Sequence, residues 1–373
     1  MAYQKSDGMN YAPESKGRPV VKPGEFVFAA TALDHGHIYG MCNGLFGAGA
    51  VCRGVYDPDP KKLAAFHDRY PDVPMASSLE ELLEDSSVQM IAAAAIPNLR
   101  CDLGIRIMEA GKDYFTDKAP LTTLDQLARA KAAVERTGRK YMVYYSERLH
   151  VESAVAAGQM IEDGAVGQVI QVLNLAPHRL NAPSRPDWFW SQEQSGGTLC
   201  DIGSHQIEQF LHFTKNTSAT ILSAQRANYD HPEHPEFDDF AAATLLGGNG
   251  ATQYLRVDWF NPDGLSTWGD GRLFILGTKG YMEVRKYLDV ARDCVGDQIY
   301  YVDGQGEHHE CVAGKSGFPF FGEMILDCLN RTEHAMTQEH IFLAAELGVR
   351  AQNEAIRIQP RADERRAPYV SSI

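Results

Sequence analysis

From Glu25 to about Arg148, short apolar runs alternate with segments whose apolar residues recur at helical spacing. Phe26 to Thr31, Val51 to Tyr56, Met90 to Ala94, Tyr114 to Phe115 and Tyr141 to Tyr145 read as buried strands. Ile38 to Phe46, Lys61 to Tyr70, Leu79 to Leu83, Leu99 to Ala110 and Leu124 to Arg136 read as the helices between them. Two helix starts carry capping boxes, Ser78 with Glu81 and Thr123 with Gln126, in which each side chain satisfies the other's free backbone donor. Strand and helix in alternation require right-handed crossovers, so residues 25–147 predict an α/β domain of the doubly wound, Rossmann type around a parallel sheet.

Beyond Arg148 the pattern changes. One further helix, Ser153 to Glu162, is followed by Val169 to Leu175, Ile221 to Ala227, Phe240 to Leu246, Thr252 to Trp259, Leu273 to Leu276, Tyr281 to Arg285 and Ile299 to Val302. Several of these runs alternate apolar and polar positions, the mark of a sheet with one wet face. Residues 148–373 therefore predict an α+β domain with a large, mostly antiparallel open sheet. Phe320 to Leu329 and Ile341 to Ile356 close it as helices, the second capped by Thr337. Residues 1–24 carry Gly, Pro and charge but little apolar pattern, and form an arm without a core of its own. Disorder and packing on a neighbouring subunit are both open for it.

A length of 373 residues suits two domains, and 44% hydrophobic with 23% charged residues is ordinary globular composition. The formal charge of -14 argues against a sequence-independent grip on nucleic acid or on anionic membranes. No apolar run approaches the roughly 18 to 20 residues of a membrane span. The seven cysteines are odd in number and lack C-x-x-C spacing, so a reducing, cytoplasmic setting is expected.

A doubly wound sheet binds ligands beyond the carboxyl ends of its strands, at the start of the first crossover helix. Leu33, Asp34, His35, Gly36, His37 and Ile38 occupy that turn, and the usual G-x-G-x-x-G is absent. Asp34 is unfavourable beside a diphosphate unless its carboxylate turns away to cap the helix. Asp57, at the end of the second strand, is placed to accept from an adenosine ribose, and an acid there favours NAD over NADP, though Asp57-Pro58-Asp59-Pro60 also makes an ordinary turn.

Three segments carry chemistry or shape: Ala110-Gly111-Lys112-Asp113-Tyr114-Phe115-Thr116-Asp117-Lys118-Ala119-Pro120, Ser195-Gly196-Gly197-Thr198-Leu199-Cys200-Asp201-Ile202-Gly203-Ser204-His205, and Leu276-Gly277-Thr278-Lys279-Gly280-Tyr281. Together they resemble the A-G-K-x-V-x-x-E-K-P segment, the G-G-G-x-x-x-D-x-G-x-H signature and the G-T-x-G turn of the Gfo/Idh/MocA oxidoreductases. The chain departs from that pattern with Asp117 in place of Glu and with Ala119 inserted before the proline. The resemblance spans about Glu25 to Ile358. It implies that Lys118, Asp201 and His205 are catalytic, that Pro97 and Asn98 form the nicotinamide-side turn, with Cys101 where a histidine is frequent, and that Lys118 also reaches the cofactor. An ammonium beside a reacting hydroxyl stabilises developing alkoxide, while histidine takes its proton and a carboxylate at i-4 orients the imidazole. The glycine pair would let backbone approach a ligand, and Ser204 could cap the helix that follows.

Arg179, Asp187, Trp188 and Trp190 precede the glycine pair and could form a sugar site, or the aromatics could simply pack their loop. His231, His234, His308 and His309 lack ligand spacing and read as solvated loop histidines, so no metal is assigned. The resemblance implies an NAD(P)-dependent oxidoreductase acting on CH-OH groups of a sugar, sugar derivative or polyol, with NADP less expected than NAD. Two alternatives remain, an NAD-dependent glycosidase of the same family and a non-catalytic dinucleotide-sensing regulator. No nucleic acid or membrane partner is expected, and exposed sheet edges suggest a homo-oligomer, dimer or tetramer.

Overall fold

A computed structural model describes residues 7–14, 17–293 and 295–359; Cys294, the outermost arm residues 1–6, residues 15–16 and residues 360–373 lie outside that description. The first sheet has the strands β1 (Val27–Thr31), β2 (Val51–Tyr56), β3 (Met90–Ala93), β4 (Asp113–Asp117) and β5 (Tyr141–Tyr144). The intervening helices are α1 (His37–Gly47), α2 (Pro60–Arg69), α3 (Leu79–Glu84), α4 (Pro97–Glu109) and α5 (Leu124–Thr137). The strand order is β2-β1-β3-β4-β5 and every pairing is parallel. β3, β4 and β5 are buried at every position, as expected for strands covered on both faces.

Both capping boxes close, with a shift. Ser78 Oγ accepts from Glu81 N at 3.1 Å and Thr123 Oγ1 from Gln126 N at 3.2 Å. The returning side chains reach one residue further back than expected, Glu81 to Ser77 N at 2.7 Å and Gln126 to Thr122 N at 2.8 Å. β4 extends past the predicted Tyr114 to Phe115 at both ends, because buried Asp113 and Asp117 find ion-pair partners, Arg331 and Arg100, that their polarity in the sequence conceals.

After β5 the chain runs through α6 (Ser146–Leu149), α7 (Glu152–Glu162), β6 (Val169–Pro177), α8 (Asp187–Trp190), α9 (Gln192–Ser195), α10 (Thr198–Asp201) and α11 (Gly203–Thr214). Strands β7 (Ala219–Ala227), β8 (Phe240–Gly247), β9 (Thr252–Asp258), β10 (Arg272–Gly277), β11 (Tyr281–Arg285), β12 (Gln298–Val302) and β13 (Glu307–Cys311) follow. α12 (Pro319–Asn330), α13 (Gln338–Glu354) and β14 (Ile356–Ile358) close the described chain. Among the described residues these strands form one sheet of order β13-β12-β11-β10-β6-β9-β8-β7-β14, antiparallel except at β6 with β9 and β7 with β14. Polar β13 and short β14 were not expected from the sequence. Thr337 caps α13, accepting from His340 N at 3.1 Å. The Gly277–Gly280 turn joins β10 to β11, with Gly277 N donating to Gly280 O at 2.9 Å.

Apolar faces join the two halves. Phe320 and Phe321 of α12 pack on Phe115 of β4, and Phe342 of α13 packs on Tyr141 of β5. One buried hydrophobic cluster runs through both sheets. The described part of the arm is ordered against this body. Val20 N donates to Ala48 O at 2.9 Å and Asn43 Nδ2 to Pro13 O at 3.0 Å, so the arm lies along α1 of its own chain.

Candidate active site

The turn between β1 and α1 is held by its own chain. Asp57 Oδ2 accepts from Leu33 N at 2.7 Å and its Oδ1 from Asp59 N at 2.9 Å. His35 N donates to Ala94 O at 3.0 Å, and His37 N to His35 Nδ1 at 3.2 Å. Ile38 N reaches His35 O at 3.2 Å. Asp34 does not cap α1: Gly36 is the N-cap residue and its helix has no side-chain cap, while the Asp34 carboxylate turns to Lys62 Nζ at 2.5 Å. The ammonium of Lys62 thus neutralises the charge that would oppose a diphosphate.

Arm residues cross this helix start. A Cβ on Gly36 would lie 2.5 Å from Met9 O, a separation that only glycine permits. Gly8 O accepts from His37 Nε2 at 2.9 Å, and Asp7 Oδ2 accepts from Asn181 Nδ2 at 2.9 Å and from Ser184 Oγ at 3.0 Å. The arm bridges the two domains across the mouth of the site.

Lys118, at the end of β4, is buried and ion-paired with Asp201, at the end of α10. Burial pushes the Asp201 carboxyl up, but the Lys118 ammonium outweighs it and the group stays below the ordinary carboxylate range. Ahead of Lys118, Asp117 is fully buried against His37, His35 and Arg100. Those three outweigh its desolvation and hold it well below the usual value. Arg100, also fully buried, donates from Nε to Ala95 O at 2.6 Å and from Nη1 to the carbonyls of Lys118 and Ala119, which fixes the backbone after Lys118.

His205 sits in the first turns of α11, and its Nδ1 is buried without a hydrogen-bond partner. The expected orientation by Asp201 is not what the fold provides, because Asp201 is committed to Lys118. The carboxylate whose charge acts most on His205 is Glu147, from α6, with Asp117 contributing less. Burial pushes the His205 imidazole down to about 3 against the pull of Glu147. Glu147 Oε2 accepts from Lys286 Nζ at 2.9 Å and Gln206 Nε2 at 3.0 Å, while Oε1 lies 3.5 Å from His178 Nε2. Lys286, His205 and His178 outweigh burial and keep Glu147 well below the ordinary range. Ser204 does not cap α11; it lies inside the helix and donates to Asp201 O at 3.0 Å. The glycine pair is required by the packing around it. Gly196 and Gly197 both have positive φ, and a Cβ on Gly197 would lie 2.4 Å from Gln352, whose Oε1 accepts from Leu199 N at 2.9 Å.

These groups line one narrow cleft at the carboxyl end of the parallel sheet, between the domains. Lys118, Asp201, His205 and Glu147 form its polar side, and Trp188, Trp259, Trp268 and Tyr11 its aromatic side. Of the residues expected to meet substrate, Trp188 is on the wall. Trp190 instead stacks on His234 at 3.7 Å, Asp187 is exposed in α8, and buried Arg179 donates to Leu265 O at 2.6 Å, directed away into the loop beyond β9. His308 and His309 are on a strand rather than in a loop, stacked on Tyr301 and Tyr300, and His231 pairs with Asp239. Glu147, His178 and Arg100 escaped the sequence reading. His178 directly follows β6 and Glu147 lies three residues beyond the end of β5, and a place just past a strand end is the positional signal that marks ligand-facing residues in the parallel sheet.

The ends of a dinucleotide seat are present. Asp57 stands at the end of β2, and at the other end Asn98 Oδ1 is buried without a partner beside Pro97, which lines the cavity. Between those ends, the turn amides of Leu33, His35 and His37 are satisfied within the chain and the arm covers Gly36. The two ends fit the group; the diphosphate position is where this chain differs from the usual cradle.

Comparison with known proteins agrees with the fold. Residues 41–145 match the family described as an oxidoreductase family with an NAD-binding Rossmann fold, and residues 154–283 match the GFO/IDH/MocA C-terminal domain. A solved structure described as an oxidoreductase from Erwinia carotovora atroseptica is 51% identical with a TM-score of 0.87, covering 90% of this chain and 100% of that one. The scyllo-inositol 2-dehydrogenase (NADP(+)) of Bacillus subtilis is 24% identical over 169 residues, 43% of this chain and 47% of that protein. The D-xylose dehydrogenase of Paenarthrobacter nicotinovorans is 22% identical over 149 residues, 39% of this chain and 38% of that protein. The match thus spans less than half the length of these curated relatives. No helix of the described residues is long and apolar enough to cross a membrane.

Proposed function

The chain belongs to the Gfo/Idh/MocA family of oxidoreductases, and from that premise we propose that it transfers a hydride between a nicotinamide cofactor and a secondary alcohol or ketone of a sugar, sugar derivative or polyol. The observation that carries this reading is the meeting of Lys118 with Asp201 and His205, from two segments distant in the chain, on the wall of one cleft at the carboxyl end of a parallel sheet. Dehydrogenases of inositol and xylose among the relatives support the substrate class.

When bound, a nicotinamide supplies the hydride acceptor. The Lys118 ammonium faces the substrate oxygen and stabilises alkoxide character as the hydroxyl proton leaves. Asp201 keeps that ammonium charged and in place. His205 is neutral at working pH and takes the proton, and the Glu147 carboxylate stabilises the imidazolium that forms. In the reverse direction the same groups return the proton. Trp188 and Trp268 offer faces for the C-H side of a sugar ring, and the polar wall meets its hydroxyls.

Asp57 supports NAD over NADP, because its carboxylate would repel a 2′-phosphate. In this reading residues 25–147 are the cofactor domain and residues 148–373 the substrate and oligomerisation domain. Unpaired Cys42, Cys52, Cys101, Cys200, Cys311 and Cys328 support a reducing, cytoplasmic setting. Exposed Ile170, Leu222, Leu246 and Leu276 on sheet strands support a homo-oligomer.

The test is absorbance of reduced nicotinamide with a panel of sugars and polyols, run with NAD and NADP in parallel. Turnover that is lost in Lys118→Ala and in His205→Ala is the expected result. The covered first turn favours one competing reading, a dinucleotide-sensing regulator, for which the assay would give cofactor binding without turnover. Sugar release without accumulation of NADH would point to a glycosidase instead.

A further inference from the structure

The residues by which this chain departs from the family pattern meet in space. His35 and His37 stand in the turn that lacks its glycines, and Asp117 replaces the expected Glu before Lys118. In the fold His37 Nδ1 lies 2.9 Å from Asp117 Oδ1 and His35 Nδ1 lies 3.3 Å from Asp117 Oδ2, all three residues being buried. One ligand atom from each lies within 4.8 Å of the others.

The hydrogen bonds around this trio leave lone pairs facing lone pairs. Gly8 O can only accept, so its 2.9 Å contact places a hydrogen on His37 Nε2. In the neutral ring His37 Nδ1 is then an acceptor, and it faces a carboxylate oxygen. His35 Nδ1 accepts from the main-chain N–H of His37, so it too carries no hydrogen and makes no hydrogen bond to Asp117 Oδ2 3.3 Å away; an ion would take its one lone pair in place of that N–H. A proton on His37 would relieve the first contact but not the second. A single cation bonded to both imidazoles and to the carboxylate relieves both contacts.

We propose that His35, His37 and Asp117 bind one divalent transition-metal ion of the zinc, cobalt or manganese kind, with its remaining coordination positions toward the cavity. Bonds of about 2.1 Å give neighbouring ligand separations of about 3.0 Å in an octahedral sphere and about 3.4 Å in a tetrahedral one, and the 2.9 Å from His37 Nδ1 to Oδ1 and the 3.3 Å from His35 Nδ1 to Oδ2 of a carboxylate that would turn both oxygens to the ion are of that size. Two histidines and one carboxylate suit such ions, and the open positions they leave admit a substrate oxygen. The outer contacts are in place: Gly8 O fixes the His37 tautomer, and Arg100 Nη2 holds Asp117 Oδ2 at 3.3 Å. The ammonium of Lys118, the other nearby cation, is already balanced by Asp201. An ion here would polarise the hydroxyl or carbonyl oxygen that Lys118 faces from the other side.

The test uses the full-length protein stripped with chelator, titrated with CoCl2 and with MnCl2, and followed by calorimetry and by the visible absorption of cobalt. The expected result is one ion per chain, with a cobalt spectrum free of thiolate charge transfer, and affinity at least 10-fold weaker in His35→Gln and in His37→Gln. Thermal melts verify that each variant is folded, and the two single variants keep the test readable if Asp117→Asn is not. No stoichiometric ion, a thiolate spectrum, or binding unchanged in both histidine variants would overturn the proposal.

Discussion

The ammonium of Lys118 is paired with the carboxylate of Asp201, 83 positions further along the chain. This contact ties the turn after β4 to the end of α10, just ahead of the helix that carries His205, so a single ion pair links the reacting groups across the domain boundary.

Replacing Lys118 by alanine removes the charge that meets the substrate oxygen. A drop in kcat/KM of about 10²–10³ is expected, with KM changed less than kcat, because the contact strengthens as alkoxide develops. Asp201→Asn keeps the ammonium but loosens it, and a smaller loss is expected. Steady-state kinetics of both variants measure this ordering; equal or inverted losses would contradict the roles.

Glu147→Gln leaves the buried ammonium of Lys286 without its carboxylate. Breaking one partner of a buried pair costs about 3–5 kcal/mol. Denaturant unfolding should register a loss of that order, and the double variant Glu147→Gln with Lys286→Met should recover part of it. A surface-like loss of a few tenths of a kcal/mol would mean that the pair is solvated in solution.

His150, just after α6, is buried, and burial, aided by His37, pushes it from 6.5 down to about 3. The folded value lies below the unfolded one, so the unfolded chain takes up this proton first as pH falls. Stability that is complete above about pH 6.5 is therefore lost progressively between there and about pH 3. Melting temperature should decline on that limb, and the decline should be shallower in His150→Gln once the neutral-pH values are matched. An identical pH profile in the variant would remove His150 from the account.

Gly36→Ala would bring a Cβ to 2.5 Å from Met9 O, which is main chain and cannot rotate away. The arm should lift from α1. Limited trypsin digestion at Arg18, read by mass spectrometry, should become several-fold faster, and dinucleotide affinity should rise as the helix start is uncovered. Unchanged cleavage would show that the arm is not held at Gly36.

Much of this was legible in the chain. Alternating strand and helix patterns gave the parallel domain to within a few residues, since period and capping chemistry are local. Lys118, Asp201 and His205 were visible as motif residues for the same reason. Polar β13 and the ends of β4 were not, because a buried charge such as Asp117 reads as surface until its partners, His37 80 positions away and Arg100, are known.

What only the tertiary structure decided is which charged group answers which. Spacing within a helix suggested that Asp201 serves His205, but the fold gives Asp201 to Lys118 and brings Glu147 to His205. The arm looked coreless, yet its backbone reaches His37 and Gly36. Local pattern fixes where the chain bends and which face is apolar, because those depend on neighbours a few residues apart. Ion pairs, lone-pair contacts and the covering of a helix start depend on atoms brought together from distant positions, and no periodicity encodes them.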